Sequence, residues 1–200
     1  MNHRILGLVA VGLMGTCSSA MSAVILSENF DELTPQLTAT SVGAFSTIGG
    51  TNVDIVGGGV FGYLCVAPES GNCIDMNGSG GNPQGQLQSN TSFAAGSYLL
   101  SFDLIGDQRG STASVTVTFG NYDQVFTLPS GDNTDGIIVN QAVTLTTPGY
   151  LTFASDVGGD VGLLLDDVVV STSVPEPASL GLLGLGLAGV GLARRRRKYN

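Results

Sequence analysis

Residues 97–104 read Ser-Tyr-Leu-Leu-Ser-Phe-Asp-Leu, and this stretch decides the fold class. Its even-numbered side chains are all apolar or aromatic, while three of the four odd-numbered ones are polar. A repeat of two residues is the period of a β-strand with one buried face. Residues 114–119, Ser-Val-Thr-Val-Thr-Phe, repeat the pattern. Both stretches therefore predict strands of an antiparallel sheet.

On either side of these two strands, less regular stretches of alternating apolar and polar residues are separated by Gly-rich turns. Short strands with turn signals about every 8–12 residues are typical of a β-sandwich or barrel. The region 24–173 is long enough for two packed sheets, so we predict one all-β domain of about ten short strands. The further predicted strands are residues 24–30, 51–56, 60–66, 86–93, 122–128, 137–146, 150–155 and 161–171.

Charge excludes several functions for this region. Residues 24–173 contain fifteen Asp and Glu but only one basic residue, Arg109, which gives a net charge of −14. Such a region repels phosphate backbones, so we expect no nucleic-acid partner. It also contains no His and no Lys, which removes most acid–base, nucleophilic and His-metal chemistry at neutral pH. We therefore predict that the protein is not an enzyme; a glycosidase, which needs only two carboxylates, is the remaining catalytic alternative.

The N-terminus has the pattern of a secretory signal peptide. Arg4 precedes an apolar run over residues 5–14, and two candidate cleavage sites follow, Ser-Ser-Ala at 18–20 and Met-Ser-Ala at 21–23. A basic start, a short apolar segment and small residues at the cleavage site define such signals. We predict that residues 1–23 are a signal peptide read by the secretory translocon, and that the chain is exported across the inner membrane.

The C-terminus combines three features. Pro175 and Pro177 end any preceding strand and form an extended connector. Residues 178–193 are apolar and would span about 24 Å as a helix, somewhat less than the ~30 Å of a bilayer core. A basic cluster follows, which stays on the cytoplasmic side and would act as a stop. We predict a transient membrane helix with the body outside. The basic residues are Arg194, Arg195, Arg196, Arg197 and Lys198.

This order of Pro-Glu-Pro, apolar helix and Arg cluster closely resembles the PEP-CTERM sorting signal, here residues 174–200. The resemblance implies that exosortase, a membrane protease-transpeptidase, recognises Pro175, Glu176 and Pro177 and removes the tail. It also implies a destination at the cell surface or in the extracellular matrix of a bacterium that makes exopolysaccharide.

Two cysteines remain once Cys17 leaves with the signal peptide. Cys65 and Cys73 are eight positions apart. In an oxidising compartment a disulfide is the default interpretation of such a pair.

The body also resembles the galactose-binding-like jelly rolls of carbohydrate-binding modules and secreted bacterial surface proteins. The residues that carry this resemblance are 73–80, 95–103 and 165–170, together with Asn-Phe-Asp at 29–31. It implies a jelly-roll-like β-sandwich and association with exopolysaccharide. Tyrosines could stack on sugars and Arg109 could bind an acidic polysaccharide, although Tyr98 is in phase with core positions and Arg109 could simply pair with an Asp. The tyrosine candidates are Tyr63, Tyr98, Tyr122 and Tyr150.

A structural calcium ion is the one cofactor we predict. Unbroken alternation along residues 161–171 would put either Asp166 or Asp167 on the core face, where an unpartnered carboxylate is costly. Backbone N–H donors, protonation or Ca²⁺ would each relieve that cost, and a β-bulge would instead let both side chains face solvent. The jelly-roll resemblance implies Ca²⁺ where the first and last strands meet, with Glu28 or Asp31 as further ligands.

These observations predict a non-catalytic, exported surface or matrix protein that associates with exopolysaccharide. The alternative is a carbohydrate-binding module with a site for one specific glycan, and a secreted glycosidase is the weaker third reading. A body with a net charge of −14 needs no site at all to serve as a soluble surface coat.

Overall fold

A computed structural model describes most of the region between the two terminal signals. Ser22–Ser173 form one compact unit. Several predicted features lie outside the described residues: residues 1–21 of the signal peptide, the sorting tail with its helix and basic cluster, Tyr63 and most of the predicted strand 60–66. Ser22 and Ala23, the last two residues of the predicted signal peptide, are described and hydrogen-bond with Thr172. The described residues are 22–57, 61–62, 65, 71–80, 84–131, 136–156, 158–160 and 162–173.

All regular structure in these ranges is β, which confirms the predicted fold class. There are thirteen strands rather than about ten, and the described residues contain no helix able to cross a membrane. The strands are β1 (Val24–Glu28), β2 (Gln36–Ala39), β3 (Ser41–Val42), β4 (Phe45–Thr47), β5 (Val53–Gly57), β6 (Asn72–Asp75), β7 (Gln86–Ser89), β8 (Gly96–Ile105), β9 (Ala113–Phe119), β10 (Tyr122–Leu128), β11 (Ile137–Leu145), β12 (Leu151–Ser155) and β13 (Leu164–Thr172).

The strands form two antiparallel sheets. The first sheet has the order β11-β8-β13-β6-β5-β2, and β1 also pairs with β13. The second sheet has the order β10-β9-β12-β7-β4-β3. Neighbours such as β8 and β13 are far apart in sequence, so the chain crosses repeatedly between the sheets, as in a jelly-roll-like sandwich.

The core lies between the two sheets and follows the predicted alternation. Leu100, Phe102 and Leu104 of β8 are fully buried, as are alternate residues of β9. The Phe102 ring meets Phe153 of the second sheet edge-on, with 5.2 Å between ring centroids. Edge-to-face aromatic pairs at this spacing add to the stabilisation from burial alone. This contact joins the two layers.

A β-bulge interrupts the pairing of β13 with β8. Asp166 pairs with Asp103 and Val169 with Ser101, so three steps along β13 match two along β8. Asp167 is the bulged residue, with a left-handed φ of +49°. The extra residue puts Val168 on the core face, where unbroken alternation would have put Asp167. Of the two alternatives that the sequence left open, unbroken alternation and a β-bulge, the structure has the bulge. The bulge exposes only Asp167, because Asp166 stays buried.

A second, smaller apolar cluster covers the outer face of the first sheet. Cys65 and Cys73 form a disulfide with 5.6 Å between their Cα atoms, and both are buried. They pack with Val56, Ile105 and Leu164, whose side chains alternate with core positions on their strands. The outer face of the first sheet is therefore buried around the disulfide.

Candidate functional site

Four aspartates form an acidic cluster beside this buried outer face. Asp31 follows β1, Asp103 lies on β8, and Asp166 and Asp167 lie at the bulge of β13. Asp103 and Asp166 occupy directly paired positions and are only 8% and 6% exposed. Side chains at such positions have Cβ atoms about 5 Å apart on one face of the sheet. Two carboxyl groups thus face each other with little access to water.

Asp166 is the most perturbed member of the cluster. Burial, together with the smaller effects of the charges of Asp167, Asp31 and Asp103, raises the pKa of the Asp166 carboxyl to about 8. The backbone N–H of Asp167 donates to Asp166 Oδ1 at 2.8 Å, and this hydrogen bond partly lowers the pKa again. Removal from water disfavours the charged form of a carboxyl group. At neutral pH this carboxyl therefore keeps its proton.

The pKa values of two neighbouring carboxyl groups, those of Asp103 and Asp167, are also raised. Burial raises the pKa of Asp103, and the charge of Asp167 adds to the effect. The pKa of Asp167 is also raised, by burial and then by the charge of Asp31. Asp31 accepts the backbone N–H of Asn72 at 3.2 Å and so ties the end of β1 to the start of β6. In this cluster, the raised pKa values of Asp103, Asp166 and Asp167 reflect burial and the negative charge of neighbouring carboxylates.

The residues predicted to bind calcium are only partly brought together. Asp31, Asp166 and Asp167 are close enough to interact electrostatically. Glu28 instead accepts the backbone N–H groups of Phe30 at 3.0 Å and Ala44 at 2.7 Å. In the described ranges, no three His, Cys, Asp or Glu side chains are arranged to hold a metal ion. The carboxylates as they stand do not form a ready calcium site, so calcium binding stays a prediction.

Three further buried aspartates, Asp54, Asp75 and Asp107, accept backbone N–H groups from loop residues. Asp54 accepts the backbone N–H groups of Thr38 at 2.7 Å and Ser79 at 3.1 Å. Asp75 accepts the N–H of Gly162 at 2.8 Å. Backbone N–H donors stabilise a buried carboxylate without a basic partner. A chain with one basic residue in its body can therefore bury several acids.

The predicted ligand residues Arg109 and Tyr122 are not brought together at one site. Arg109 is exposed in a loop whose backbone N–H groups, those of Arg109 and Ser111, donate to the buried Asp107 carboxylate. Tyr122 is half-buried against the core, and this burial raises its pKa. Tyr98 is a core residue whose hydroxyl donates to the Ala94 carbonyl at 2.8 Å.

An open pocket of about 270 Å³ lies instead on the second sheet, and we call it the Tyr150 pocket. Tyr150 itself, just before β12, is 46% exposed. All the lining side chains are uncharged. They are Ser46, Ile48, Gln88, Ser89, Asn90 and Tyr150.

Comparison with known proteins identifies the C-terminus. Residues 173–198 match the model of the PEP-CTERM protein-sorting motif, and this match confirms the resemblance drawn from the sequence. The motif indicates an exported protein that is sorted to the cell surface by exosortase. No curated protein sequence matches the chain.

Several solved structures are similar to the body. A cleaved adhesin domain of Lys-gingipain from Porphyromonas gingivalis is 17% identical, with a TM-score of 0.48, over 78% of this chain and 100% of that chain. The CBM22-1 xylan-binding domain of Paenibacillus barcinonensis Xyn10C is 10% identical, with a TM-score of 0.46, over 78% of this chain and 100% of that chain. A mutant of a family 29 carbohydrate-binding module is 18% identical, with a TM-score of 0.41, over 76% and 92%.

The buried Asp166 carboxyl predicts a stability that depends on pH. We expect the free energy of unfolding to fall as pH rises from about 5 to about 8, because folded Asp166 holds a proton that the unfolded chain releases near ~3.9. One such group contributes a slope of at most about 1.4 kcal/mol per pH unit. Urea unfolding at fixed pH values measures it. Asp166→Asn should flatten the slope, while the exposed control Asp160→Asn should keep it. If the free energy of unfolding changed with pH equally in the wild type and in Asp166→Asn, Asp166 would not be a buried, protonated carboxyl group.

The calcium prediction has its own test. If Ca²⁺ binds the acidic cluster, millimolar Ca²⁺ should raise the thermal unfolding midpoint relative to a chelator, since a ligand of the folded state stabilises it by mass action. The rise should be larger at pH 8 than at pH 6, because the ion must displace the Asp166 proton. Asp166→Asn and Asp167→Asn should each abolish it. An unchanged midpoint at both pH values would end the calcium proposal.

Proposed function

We propose that this protein is an exosortase-sorted component of the cell surface or extracellular matrix whose β-sandwich associates with exopolysaccharide without catalysis. The observation that carries the proposal is the PEP-CTERM motif at residues 173–198, directly after the compact body. The partners that follow are exosortase, the secretory translocon and, transiently through the apolar tail, the inner membrane.

The chemistry of the body supports a role without catalysis. Residues 24–173 hold no His or Lys that could act as a base near neutral pH. Asp54 and Asp75 are used as acceptors of backbone N–H groups. Asp103 and Asp166 face each other, but neither lines the Tyr150 pocket, where a sugar would have access. A glycosidase needs two accessible carboxyl groups beside the scissile bond.

The alternative is a module with a site for one specific glycan. The Tyr150 pocket favours it, because an exposed aromatic ring beside amide and hydroxyl groups supplies both kinds of contact that a sugar makes. A surface component without such a site would bind polysaccharides weakly and without preference.

A substitution in the Pro-Glu-Pro motif tests whether the tail directs sorting. In cells with the cognate sorting enzyme, Glu176→Ala should accumulate as an unprocessed, membrane-associated form, because the tail would no longer be recognised. Immunoblotting of membrane and extracellular fractions measures this, and Asp160→Ala in an exposed loop of the body serves as the matched control. Normal processing of Glu176→Ala would contradict the assignment of the motif.

Association with polysaccharide is tested with the exported protein. We expect the processed chain to be retarded in native gels that contain exopolysaccharide from the producing cells, and not in gels without it. Retardation should persist at 0.5 M NaCl. Salt weakens electrostatic attraction, and a body with a net charge of −14 has no such attraction for a neutral or acidic polysaccharide. Equal mobility in both gels would contradict the association.

A further inference from the structure

We propose that the Tyr150 pocket is the glycan-binding site and that it takes an uncharged polysaccharide. This inference rests on the proposed association with polysaccharide and goes beyond it by naming the site and the class of ligand. Four observations support it: an exposed ring on a fixed backbone, ordered polar groups, a continuous uncharged row on the sheet, and the net charge of residues 24–173.

Tyr150 is exposed, but the backbone on both sides of it is fixed. Gly149 forms an isolated bridge with Phe93, with N–H···O distances of 2.8 and 3.0 Å. Leu151 is fully buried, and its N–H donates to Ser89 Oγ at 3.1 Å. A group held in place before binding loses less conformational entropy when its ligand arrives. The backbone that carries the ring is therefore fixed before a ligand arrives, and the exposed ring offers an apolar face with a hydroxyl at its edge.

The polar groups beside the ring are also ordered. Ser46 Oγ donates to Asn90 Oδ1 at 2.8 Å, and Asn90 Nδ2 donates to the Gly43 carbonyl at 3.3 Å. The Gln88 side-chain amide, in contrast, has no hydrogen-bond partner among the described residues. An amide offers two donors and one acceptor, which matches the mixed donor and acceptor character of sugar hydroxyls. Gln88 is thus the group with hydrogen-bonding capacity to spare.

The pocket continues into a row of uncharged side chains across the sheet. Ser46 pairs with Gln88, Gln88 with Thr152, and Thr152 with Thr118. All four are half-exposed, and the two threonine hydroxyls are hydrogen-bonded to each other. Four adjacent strands span about 14 Å at ~4.8 Å per step. The surface is long enough for a short stretch of polysaccharide rather than a single sugar.

Charge selects the class of polymer. None of the six lining side chains is charged, and the single basic residue of the body, Arg109, is not among them. A uronate or sulfate group would find no cation in the pocket and would be repelled by a body with a net charge of −14. A neutral polymer needs no cation in the pocket and is not repelled by the charge of the body.

The test is affinity electrophoresis of the exported protein against soluble neutral polysaccharides (glucan, xylan, galactan and mannan) and against alginate as the acidic probe. We expect retardation by at least one neutral polymer and none by alginate. Tyr150→Ala should weaken binding at least tenfold and Gln88→Ala several-fold, while Tyr150→Phe should stay within about threefold because it keeps the ring. Val125→Ala, another exposed apolar residue of the same sheet, should bind like the wild type, and thermal unfolding should show that all variants are folded.

The outcomes separate this inference from the function on which it rests. If a neutral polymer binds and Tyr150→Ala binds it equally well, the site is elsewhere, and this inference falls while polysaccharide association stands. Retardation by alginate alone would likewise overturn the choice of a neutral ligand. If the wild-type protein is retarded by no polysaccharide, including that of the producing cells, both proposals fall.

Discussion

The bulge at Asp167 is the constraint on which the arrangement of the first sheet depends. Strand β13 lies inside that sheet, with β8 on one side and β6 and then β1 on the other. Leu165 and Val168 must both face the core, and only one extra residue between them allows this. Aspartate accepts the left-handed conformation more readily than most residues. The consequence is that Asp167 leaves the core face for solvent, while Asp166, the last regularly paired residue before the bulge, stays on the outer face opposite Asp103, where both are buried.

The sequence predicts the sandwich well where one face of a strand is buried and the other is open. Strands β8 and β9 alternate cleanly, and the structure places both within a residue of their predicted bounds. Strand β6 was missed because all four of its residues are buried, so no alternation appears. Strands β2, β3 and β4 were missed because two to four residues are too few to show a period.

The candidate sites show a second limit of sequence reasoning. Asp166 and Asp167 drew attention as adjacent carboxylates, but Asp103 did not, because its pairing with Asp166 depends on a register between distant strands. In the sequence, only Tyr98 could be set apart from the other tyrosines, because it is in phase with core positions. Their environments separate them, since Tyr98 is 6% exposed whereas Tyr150 is 46% exposed beside a pocket. The two sheets thus differ in role: the first buries its acidic outer face, and the second presents an open face with an uncharged pocket.

The most direct test of this account is the titration of the Asp166 side chain, followed by the carboxyl carbon signal in NMR spectra of the exported protein. Its burial opposite Asp103 predicts that this carboxyl loses its proton near pH 8. Assignment by comparison with Asp166→Asn identifies the signal. Titration near ~3.9, the ordinary value for aspartate, would mean that Asp166 is solvated, and it would contradict the register of β13 described here.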